Sequence, residues 1–328
     1  MPRILFAAPS DASFIRVDRE ALAARWPLEE WRQPGRGTDL RALLPMVRRC
    51  DVVVGWWASW HTFWPITLAW LLRKPSLLIV GGFDTAAMPD IGYGYQQGGM
   101  RARLSRFVMR RATRLVTNSN YSLEEIGRNI GWGADRVGVI HHGLRDPYGE
   151  LPETSRGPLA LSVGLVTLDN LEIKGQRAFV EAAAHAPEVS FCLAGPWQDG
   201  AIARLRKTAS VNVTFTDWLE QEELDALYRE ASVYVQPSRH EGFGIAVAEA
   251  MLAGCVPVVT AAGALPEVVG DAGVLVSSDD PAEVAAGVRR ALTLGPEARA
   301  AARERVLREF PLERRRERLQ AAVEALVG

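Results

Sequence analysis

Short apolar runs rich in β-branched residues alternate along the chain with segments whose apolar positions recur every three or four residues. The runs predict buried β-strands, and the periodic segments predict amphipathic α-helices. In the first half the pattern predicts strands at 3–7, 51–55, 76–80, 114–117 and 137–140. It predicts helices near 17–25, 38–49, 63–73, 101–112 and 122–130. A capping box, Ser122 with Glu125 three residues later, is expected to begin the last of these helices.

The same alternation continues through the second half of the chain. Strands are predicted at 158–163, 189–193, 211–215, 232–235, 256–259 and 273–276. Helices fill the gaps, and a run of helices follows from about 281 onward. Near-continuous apolar strands joined by helices are typical of parallel sheets covered on both faces. The predicted fold class is therefore α/β.

Residues 146–158 interrupt this pattern, because they are rich in Pro, Gly and polar residues and show no periodicity. The chain has 328 residues, about the length of two domains of roughly 150 residues each. We therefore expect two Rossmann-like, doubly wound domains, at 1–152 and 153–310. Folds of this kind bind ligands at the carboxyl ends of their strands, so two neighbouring domains would share a ligand cleft.

Composition excludes several classes of protein. With 48% apolar and 23% charged residues, the chain is neither disordered, nor collagen-like, nor a disulfide scaffold. The net charge of −1 divides unevenly: residues 1–150 hold 20 basic and 14 acidic residues, and the remainder holds 18 and 25 of the 38 and 39. The halves thus carry +6 and −7, which suggests two units that face different ligands; drift between two solvated surfaces is the alternative.

Cysteine usage and hydropathy predict a cytoplasmic protein. The three cysteines lie far apart in apolar surroundings, which indicates reduced, buried thiols and no metal cluster; they are Cys50, Cys192 and Cys255. The N-terminus has too short an apolar stretch for a signal peptide. The most apolar long segment, 63–80, contains two bases and a proline, so it predicts a helix, a turn and a strand rather than a membrane span.

The most informative chemical pattern lies at 236–259. This segment follows a predicted strand, turns on Gly242 and Gly244, and enters an apolar helix. Backbone amides at a helix start, approached closely across glycines, form an anion site suited to phosphate. Glu249 has only apolar neighbours three and four positions away in that helix, so its burial needs a partner. Either a structural ion pair or a polyol such as a ribose would meet that need, and the pattern favours the polyol.

These residues resemble the retaining glycosyltransferases of family 4, which have the two-domain GT-B fold. The resemblance is carried by Glu241 and Glu249 within Pro-Ser-x-x-Glu-Gly-Phe-Gly, followed by Glu-Ala-Met-x-Ala-Gly-x-Val-Pro-Val-Val. Further similarities follow in order at Gly164, Lys174-Gly175, Leu193-Ala-Gly-Pro196, Phe215-Thr-Asp-Trp218, Glu222-Glu223-Leu224, Leu227-Tyr-Arg-Glu-Ala231 and Gly263-x-x-Pro266-Glu267. The first half matches more loosely, at Asn118-Ser119, Ile140-His-His-Gly143 and Gly81-Gly-Phe-Asp84.

The resemblance implies roles for the residues at matching positions. Glu249 would bind the nucleotide ribose, and Glu241 would contact the donor sugar. Amides at 242–244 would hold the sugar and the pyrophosphate, while Lys174 would neutralise the pyrophosphate as the leaving nucleotide gains charge. Lysine is scarce among the basic residues, since the chain contains only Lys74, Lys174 and Lys207. A lysine at this motif is therefore unlike a routine surface charge.

Backbone near Trp218 and Leu219 would meet the base. The complete expected donor-side set is Gly164, Lys174, Gly195, Pro196, Trp218, Leu219, Ser238, Arg239, Glu241, Gly242, Phe243, Gly244 and Glu249. The expected catalytic residues are Glu241, Lys174 and Asp84. The resemblance also implies that the final helix, at about 311–328, packs back on the first domain.

Three departures from the family pattern affect these expectations. Leu165 stands where the family commonly has a phosphate-binding arginine, so either Arg239 or another base substitutes, or Lys174 and the amides suffice. Gly81 stands where many members have a histidine. Ala8-Pro-Ser-Asp-Ala-Ser-Phe14 replaces the glycine-rich loop after the first strand. The expected acceptor-side residues are Ser10, Phe14, Trp57, His61, Gly82 and Asp84.

Basic and aromatic residues in the first half bear on the acceptor. Eight of the ten tryptophans lie there, and several follow the strand at 51–55, where they would pack a core or stack on a sugar ring or a lipid. A basic stripe on one helix is predicted from spacings of three and four between Arg103, Arg106, Arg110 and Arg114. It is either an ordinary solvated face or a peripheral contact with anionic lipid. Nucleic acid is excluded as a partner because the basic set is confined to one helix.

The expected reaction transfers a sugar from a UDP- or GDP-linked donor to an acceptor hydroxyl with retention, in glycan, glycolipid or cell-surface polysaccharide synthesis. No enzymic nucleophile is evident, so a front-side mechanism is expected. No Asp-x-Asp motif or His/Cys cluster appears, so neither a metal nor another cofactor is expected.

Two alternatives stay open at this point. One is a GT-B epimerase or hydrolase that needs no acceptor. The other is a nucleotide-sugar-binding subunit of weak activity, a reading that Leu165 and Gly81 favour and Glu241 disfavours.

Overall fold

The computed structural model describes residues 1–33, 37–151 and 156–328. These form two compact units: unit 1 is Met1–Gly143 together with Leu312–Gly328, and unit 2 is Leu144–Pro311. The chain thus leaves unit 1 once and returns to it with its last helix. The expected boundary between 152 and 153 lies outside the described residues.

Unit 1 contains a parallel sheet of six strands flanked by helices. The strands are β1 (Ile4–Ala7), β2 (Leu28–Trp31), β3 (Val52–Trp56), β4 (Ser76–Val80), β5 (Arg114–Thr117) and β6 (Val137–Val139). The α-helices are α1 (Ser13–Ala23), α2 (Leu40–Arg49), α3 (Trp60–Leu71), α4 (Gly99–Arg111), α5 (Asn120–Ile130) and α14 (Leu312–Val327). Short 3₁₀ turns occupy Gly82–Asp84, Pro89–Ile91 and Tyr95–Gln97. The strand order is β2-β1-β3-β4-β5-β6.

Unit 2 repeats this architecture with its own six parallel strands. They are β7 (Leu159–Val163), β8 (Ser190–Ala194), β9 (Val213–Thr216), β10 (Val233–Gln236), β11 (Val256–Thr260) and β12 (Val274–Val276). The α-helices are α6 (Leu168–Ile173), α7 (Gln176–Ala182), α8 (Ala201–Thr208), α9 (Gln221–Glu230), α10 (Ile245–Leu252), α11 (Leu265–Val269), α12 (Pro281–Thr293) and α13 (Gly295–Glu309). A 3₁₀ turn follows α7 at Ala183–His185. The strand order is β12-β11-β10-β7-β8-β9.

Each sheet separates two hydrophobic cores, as alternating strands and helices require. In unit 1, one core holds Leu5, Leu43 and Val108, and the other holds Ile4 and Leu319. Successive residues of β1 therefore point to opposite faces, and both faces are covered. Both faces of the unit 2 sheet are covered in the same way. Near-continuous apolar strands are the direct consequence of this double burial.

Strand β2 was not predicted, because its sequence, Leu-Glu-Glu-Trp, carries two charges in four residues. It lies at the edge of the sheet, where Glu29 and Glu30 reach solvent and pair with Arg49 and Arg19. Edge strands tolerate such charges, which also discourage pairing with other chains.

Helix α5 begins earlier than the predicted capping box of Ser122 and Glu125 implies. The helix begins at Asn120, and Ser119 is its N-cap, since the Ser119 hydroxyl accepts from the Ser122 amide at 3.0 Å. Glu125 is buried and accepts instead from the Thr85 hydroxyl at 2.8 Å. A sequence pattern cannot reveal that a residue 40 positions away competes for the carboxylate.

Arginines cap the carboxyl ends of helices in unit 2. Arg156 donates to the carbonyls of Tyr228 and Ala231 at the end of α9, at 3.3 and 2.7 Å. Arg305 donates to the carbonyls of Glu267 and Val268 in α11, at 2.7 Å each. These guanidinium groups satisfy carbonyls that a helix leaves without partners and complement its dipole.

A buried ion pair holds α14 in unit 1. Arg315 donates from Nε and Nη2 to the two carboxylate oxygens of Asp18 on α1, at 2.6 Å each. The side chains are 2% and 0% exposed. Nη1 of Arg315 donates to the carbonyls of Ile140 and His141 after β6, and the Trp56 indole donates to Asp18 at 3.0 Å. Nearly every polar group of the pair is therefore satisfied, which a buried pair requires.

Breaking this pair should destabilise unit 1 strongly. Arg315→Ala leaves the Asp18 carboxylate buried without its guanidinium, so we expect a loss of about 3–5 kcal/mol in the free energy of unfolding. Urea unfolding followed by circular dichroism measures this loss. Arg316→Ala is the matched control, because it removes an exposed pair with Glu313 on the same helix and should cost less than about 1 kcal/mol. Equal losses in the two variants would contradict this assignment.

Candidate functional site

The expected donor-side residues gather at one edge of the unit 2 sheet. Parallel strands carry their carboxyl ends to the same edge, and each donor motif follows such an end. Gly164 follows β7, Gly195 follows β8, Trp218 follows β9 after one residue, and the 237–244 loop follows β10. Glu249 lies on α10, which continues from that loop.

Lys174 and Glu241 form an ion pair at this edge. Nζ of Lys174 lies 2.8 Å from Oε2 of Glu241, and both side chains are partly buried. Gln236, the last residue of β10, donates from Nε2 to the same oxygen at 2.5 Å. Oε2 of Glu241 thus accepts both bonds. The pairing unites two of the expected catalytic residues across 67 positions of sequence.

The environment keeps Glu241 ionised. Burial raises the pKa of this carboxyl, but the Lys174 ammonium, through its charge and its hydrogen bond, outweighs burial and holds the pKa below its usual value. The charge of His240 and the Gln236 bond act in the same direction. Glu241 is therefore a carboxylate at neutral pH, able to accept hydrogen bonds but not to donate one.

The loop at 237–244 is fixed by close backbone packing. The Arg239 amide donates to the Ile173 carbonyl at 2.9 Å, which joins the loop to the end of α6. Gly175 has φ +65°, and a Cβ at this position would lie 2.1 Å from the Pro237 carbonyl oxygen. Gly263 makes an equally close approach to the Glu241 backbone. Only glycine fits at these two positions, which lets the backbones that carry Lys174 and Glu241 pack closely on their neighbours.

The loops after β7 and β8 also lock together. A Cβ on Gly195, at φ +134°, would lie 2.2 Å from the carbonyl oxygen of Gly164. The Gly164 amide donates to the Ala194 carbonyl at 2.9 Å, and the Val166 amide donates to the Pro196 carbonyl at 2.9 Å. Gly164, Gly195 and Pro196 therefore shape the backbone at the sheet edge.

Glu249 lies half-buried on α10, and the Tyr228 hydroxyl donates to its Oε2 at 3.4 Å. Burial raises the pKa of Glu249 to about 7, and the Tyr228 bond opposes this only in part. No base pairs with this carboxylate among the described residues. The structural ion pair considered as an alternative from the sequence is thus absent there. Protonation of Glu249 near neutral pH follows from burial without a cation.

Gln236 and Tyr228 were missed as candidate site residues. Gln236 ends an otherwise apolar strand, and a polar residue at that point of a parallel sheet is the signal that could have identified it. Tyr228 lies in a helical segment quoted only for its resemblance to the family, and its approach to Glu249 depends on the packing of α9 beside α10. Tertiary contact of this kind has no local sequence signal.

The side chains of Ser238 and Phe243 support the loop and are not exposed at its surface. Ser238 is buried; its hydroxyl accepts from Gln236, and its carbonyl accepts from the Thr260 hydroxyl at 2.5 Å. Phe243 is buried edge-on against Phe310. In this structure both residues support the backbone at 237–244, and their expected contact with a donor stays a prediction.

Arg239 points to an acidic neighbour. Its Nε lies 2.7 Å from Oδ2 of Asp279, and it lines a groove of about 340 Å³ that also includes Gly175, Arg177 and Asp280. The neighbouring carboxylates balance its charge. Arg239 is therefore paired with Asp279 in this arrangement and does not take the place of the family's arginine, where this chain has Leu165. Lys174 is the cation paired with Glu241.

Trp218 presents an exposed ring after β9. The side chain is 67% exposed, and its indole donates to Glu220 at 3.3 Å. Leu219 packs beside it against the core that contains α10. This arrangement offers a flat aromatic surface at the same edge as Lys174 and Glu249.

In unit 1 the structure gives Asp84 a positioning role. Asp84 is buried at the end of β4; its Oδ2 accepts from the Ala58 amide and its Oδ1 from the Gly81 amide, at 2.8 Å each. Burial raises the pKa of this carboxyl to about 7 against those two amide bonds. Asp84 joins the loops after β3 and β4 through both oxygens, and its expected contact with a reacting group stays a prediction.

His61 is engaged by its own helix start. Its Nε2 lies 2.7 Å from the Trp56 carbonyl, which can only accept, so Nε2 carries the proton. Nδ1 then accepts from the Ser59 hydroxyl at 2.6 Å. Burial lowers the pKa of His61, opposed in part by the Trp56 carbonyl. His61 is therefore a neutral group that fixes the turn between β3 and α3.

The other expected acceptor-side residues also lie near strand ends of unit 1. Trp57 follows β3 in the left-handed region, at φ 59°, which is rare for a bulky side chain. Its ring contacts the edge of Phe14, with centroids 5.9 Å apart. Ser10 is exposed after β1, and Gly82 follows β4 at φ +73°. Strain held at Trp57 is typical of functional sites, and it makes this position the most distinctive of the set.

The predicted arginine stripe is not formed as expected. Arg106 is half-buried and donates to Gln96 and to the Asn129 carbonyl, at 2.8 and 2.9 Å. Arg114 lies in β5, beyond the end of α4. Only Arg103 and Arg110 of the four are exposed on this helix. The spacing was correct for a helix through residue 114, but α4 ends at Arg111.

Metal and membrane features were sought within the described ranges. No group of three or more His, Cys, Asp or Glu side chains there could hold a metal ion. No helix within those ranges combines the length and the apolar character needed to cross a membrane.

Comparison with known families bears directly on this edge of unit 2. Residues 158–293 match the family model described as glycosyl transferases group 1. Over these residues the chain is similar to the group 1 glycosyl transferases. Every donor-side residue named above, from Gly164 to Glu249, lies within the matched residues.

Two relatives show how far the likeness extends. The chain is 29% identical over 194 residues to O-antigen chain mannosyltransferase B of Escherichia coli, which covers 54% of this chain and 51% of that protein. It is 30% identical over 264 residues to a glycogen synthase of Mycobacterium tuberculosis, which covers 74% of this chain and 63% of that protein. The chain thus spans between half and two-thirds of the length of these curated relatives.

A solved structure extends the likeness to both units. Anabaena HepE in complex with UDP and glucose has a TM-score of 0.78 at 17% identity, over 99% of this chain and 100% of that one. Likeness at this level of identity concerns the fold. The α/β GT-B fold expected from the sequence is confirmed.

Substitution of the glycine beside Lys174 should test how rigidly unit 2 holds the Lys174–Glu241 pair. Gly175→Ala introduces a Cβ against the Pro237 carbonyl, whereas Gly200→Ala adds one at φ +75° with nothing within 4 Å. The control should lose about 1–2 kcal/mol of unfolding free energy, the cost of the left-handed backbone alone. Gly175→Ala should lose more in the same urea titration. Equal losses would show that the close approach to Pro237 does not constrain the loop.

Proposed function

We propose that the protein is a retaining glycosyltransferase of the family 4 type, which moves a sugar from a nucleoside diphosphate sugar to an acceptor hydroxyl. The observation that carries the proposal is the Lys174–Glu241 pair at 2.8 Å, within a group 1 glycosyltransferase domain. Charge of this kind at a sheet edge, on glycine-locked loops, suits a diphosphate and a sugar together.

Each part of the donor has a matching group at this edge. The Lys174 ammonium is the cation that binds the diphosphate, together with the backbone amides at 242–244. Glu249 offers carboxylate oxygens to the two ribose hydroxyls. Glu241 uses Oε2 for Lys174 and Gln236, which leaves Oε1 to accept from a sugar hydroxyl. A uridine donor is supported by the UDP in the Anabaena structure, which has the same fold.

The proposed reaction proceeds on one face of the sugar. The bond between the anomeric carbon and the phosphate oxygen breaks, and a bond forms from the acceptor oxygen to the same face. The acceptor proton passes to the departing phosphate oxygen, so configuration is retained and no enzymic nucleophile is needed. Lys174 stabilises the negative charge that grows on the diphosphate, in the role that a divalent cation plays elsewhere. We therefore propose that no metal takes part.

The acceptor is proposed to be a carbohydrate or a lipid-linked carbohydrate, in glycan, glycolipid or cell-surface polysaccharide synthesis. The names of the two relatives, an O-antigen mannosyltransferase and a glycogen synthase, support this range. Two strand-end residues of unit 1, the exposed Ser10 and the partly buried Trp57, are the proposed acceptor-side contacts, supported by Phe14 beside Trp57.

A nucleotide screen tests donor binding directly. We expect one of UDP-glucose and GDP-mannose to raise the melting temperature, because a ligand at a hundredfold its Kd adds about 2.7 kcal/mol to stability. Retention is tested by the anomeric configuration of the product, determined by NMR. A product of inverted configuration would overturn the proposed mechanism, as would a trapped covalent glycosyl–enzyme adduct.

Removal of the paired lysine should separate an enzyme from a binding subunit. Lys174→Ala should lower kcat for sugar transfer at least about 100-fold, because transition-state charge on the diphosphate loses its stabilising group. Lys207→Ala is the matched control, since it removes the other lysine of unit 2, an exposed one on α8. Loss of affinity with no turnover in the wild type would indicate a binding subunit. Turnover that needs no acceptor would indicate a hydrolase or an epimerase.

Donor affinity should depend on pH through Glu249. The pKa of this carboxyl is raised to about 7, so it is largely protonated at pH 6 and ionised at pH 8. The two ribose hydroxyls donate better to the carboxylate than to the protonated carboxyl. As the pH rises toward 7, donor affinity should therefore increase by up to about tenfold per pH unit, and above 7 it should level off. Calorimetric titration with UDP from pH 6 to 8 measures this. Glu249→Gln, which cannot ionise, should bind with a flat profile, and a wild-type slope retained in this variant would exclude Glu249 as its source.

A further inference from the structure

Apolar and basic side chains of unit 1 meet where α3 and α4 end. Arg111, the last residue of α4, lies over the Trp70 ring at 4.2 Å and over the Phe107 ring at 4.7 Å. Trp70 and Leu71 close α3 and are 47% and 59% exposed. We call Trp70, Leu71, Arg73, Arg110, Arg111 and Arg114 the helix-end patch.

The chain segments of this patch are joined by hydrogen bonds. The Ser76 amide donates to the Thr113 hydroxyl at 3.0 Å, and the Thr113 amide donates to the Ser76 hydroxyl at 3.2 Å. This exchange places the turn after α3, which contains Arg73, beside the turn after α4, which leads to Arg114. β4 and β5 both begin here, so the helix-end patch lies at the amino edge of the unit 1 sheet.

Acidic residues are missing from the sequence around the patch. Asp51 and Asp84 enclose one stretch without any Asp or Glu, and Asp90 and Glu124 enclose another. The basic residues in these two stretches are Arg73, Lys74, Arg101, Arg103, Arg106, Arg110, Arg111 and Arg114. In the part of the chain that the structure describes, no patch arginine forms an ion pair. The surface therefore carries an excess of positive charge, with Asp135 as an acidic residue that lines a groove beside Arg114.

We propose that the helix-end patch docks unit 1 on an anionic lipid surface. Three features of the helix-end patch together favour binding to an anionic bilayer. Tryptophan prefers the boundary between headgroups and acyl chains. Leucine beside it adds apolar area, and each arginine near an anionic leaflet adds attraction. The guanidinium of Arg111 lies over the Trp70 ring. Both groups would therefore reach the headgroup boundary when the patch inserts to a single depth.

This surface shares Arg110 and Arg114 with the stripe expected from the sequence but adds Trp70, Leu71, Arg73 and Arg111, and it goes beyond the proposed transfer reaction. It lies at the amino edge of the sheet, whereas Trp57, Gly82 and Asp84 follow the carboxyl ends of strands. A docked unit 1 therefore keeps its strand-end loops uncovered by the lipid. Docking would hold whether or not unit 2 transfers a sugar.

Vesicle flotation of the whole protein tests the proposal without any nucleotide. The probes are vesicles of phosphatidylcholine alone and vesicles of phosphatidylcholine with phosphatidylglycerol at a ratio of about 70:30. Wild type should float with the anionic vesicles and not with the neutral ones, and the bound fraction should fall as salt rises. Absence of binding to anionic vesicles at low salt would overturn the proposal, and so would equal binding to both kinds.

Variants distinguish the patch from the general charge of unit 1. Arg110→Glu with Arg114→Glu should weaken binding at least about tenfold. The matched control, Arg16→Glu with Arg318→Glu, makes the same change of net charge on α1 and α14 and should bind like the wild type. Equal weakening in both pairs would overturn the assignment to this surface.

The apolar part of the patch needs its own variant. Trp70→Ser with Leu71→Ser removes exposed side chains and should weaken binding while circular dichroism and the response to UDP-glucose stay unchanged. Unchanged vesicle binding in this variant would overturn insertion of the ring. A wild type that avoids all vesicles but binds an acidic protein would show that the surface serves a partner of another class. Absence of a response to both UDP-glucose and GDP-mannose in every form, with vesicle binding intact, would refute the proposed transferase and leave docking standing.

Discussion

Parallel strands carry all their carboxyl ends to one edge, and this constraint decides where chemistry occurs in both units. Each loop after a strand must turn sharply into a helix, which leaves backbone amides and a few polar side chains together. In unit 2 these loops bring Lys174 beside Glu241, residues 67 positions apart in sequence. In unit 1 the same edge brings the Ala58 and Gly81 amides to Asp84. The same geometry thus produces the Lys174–Glu241 ion pair in unit 2 and, in unit 1, a buried carboxylate that links two loops.

The difference between these two carboxylates lies in what compensates them. Glu241 has a cation and stays ionised, with its pKa below the usual value. Asp84 has only amide donors, and burial raises its pKa to about 7. Glu249 has a single tyrosine hydroxyl, and its pKa rises similarly. A carboxylate without a cation in a partly apolar site is costly, and such a cost is retained where a ligand supplies the missing donors. This reasoning supports Glu249 as a ligand group and Asp84 as a positioning group.

Local pattern was sufficient for most of the fold and for the location of the site, but not for its contacts. Apolar runs gave eleven strands, and the charged edge strand β2 escaped because its Leu-Glu-Glu-Trp sequence lacks such a run. The loop at 237–244 was recognised because glycines and a helix start are adjacent in sequence. The Tyr228 bond to Glu249 and the pairing of Arg239 with Asp279 were not recognised, because each is a tertiary contact between segments 21 and 40 positions apart in sequence. The arginine stripe expected on α4 does not form for a related reason. The helix ends at Arg111, before Arg114, and Arg106 is held by its hydrogen bond to the Asn129 carbonyl.

The buried pair between Asp18 and Arg315 has a consequence for the order of events during synthesis. Its partners are 297 positions apart, so the ribosome must deliver all of unit 2 before Arg315 exists. Domains usually fold from the N-terminus as they emerge. Here the second unit is the first whose chain is complete, and the first waits with a carboxylate and an indole that lack their guanidinium. A stalled or truncated product would therefore contain a finished unit 2 beside an unfinished unit 1, a form that quality-control proteases would distinguish from the whole protein.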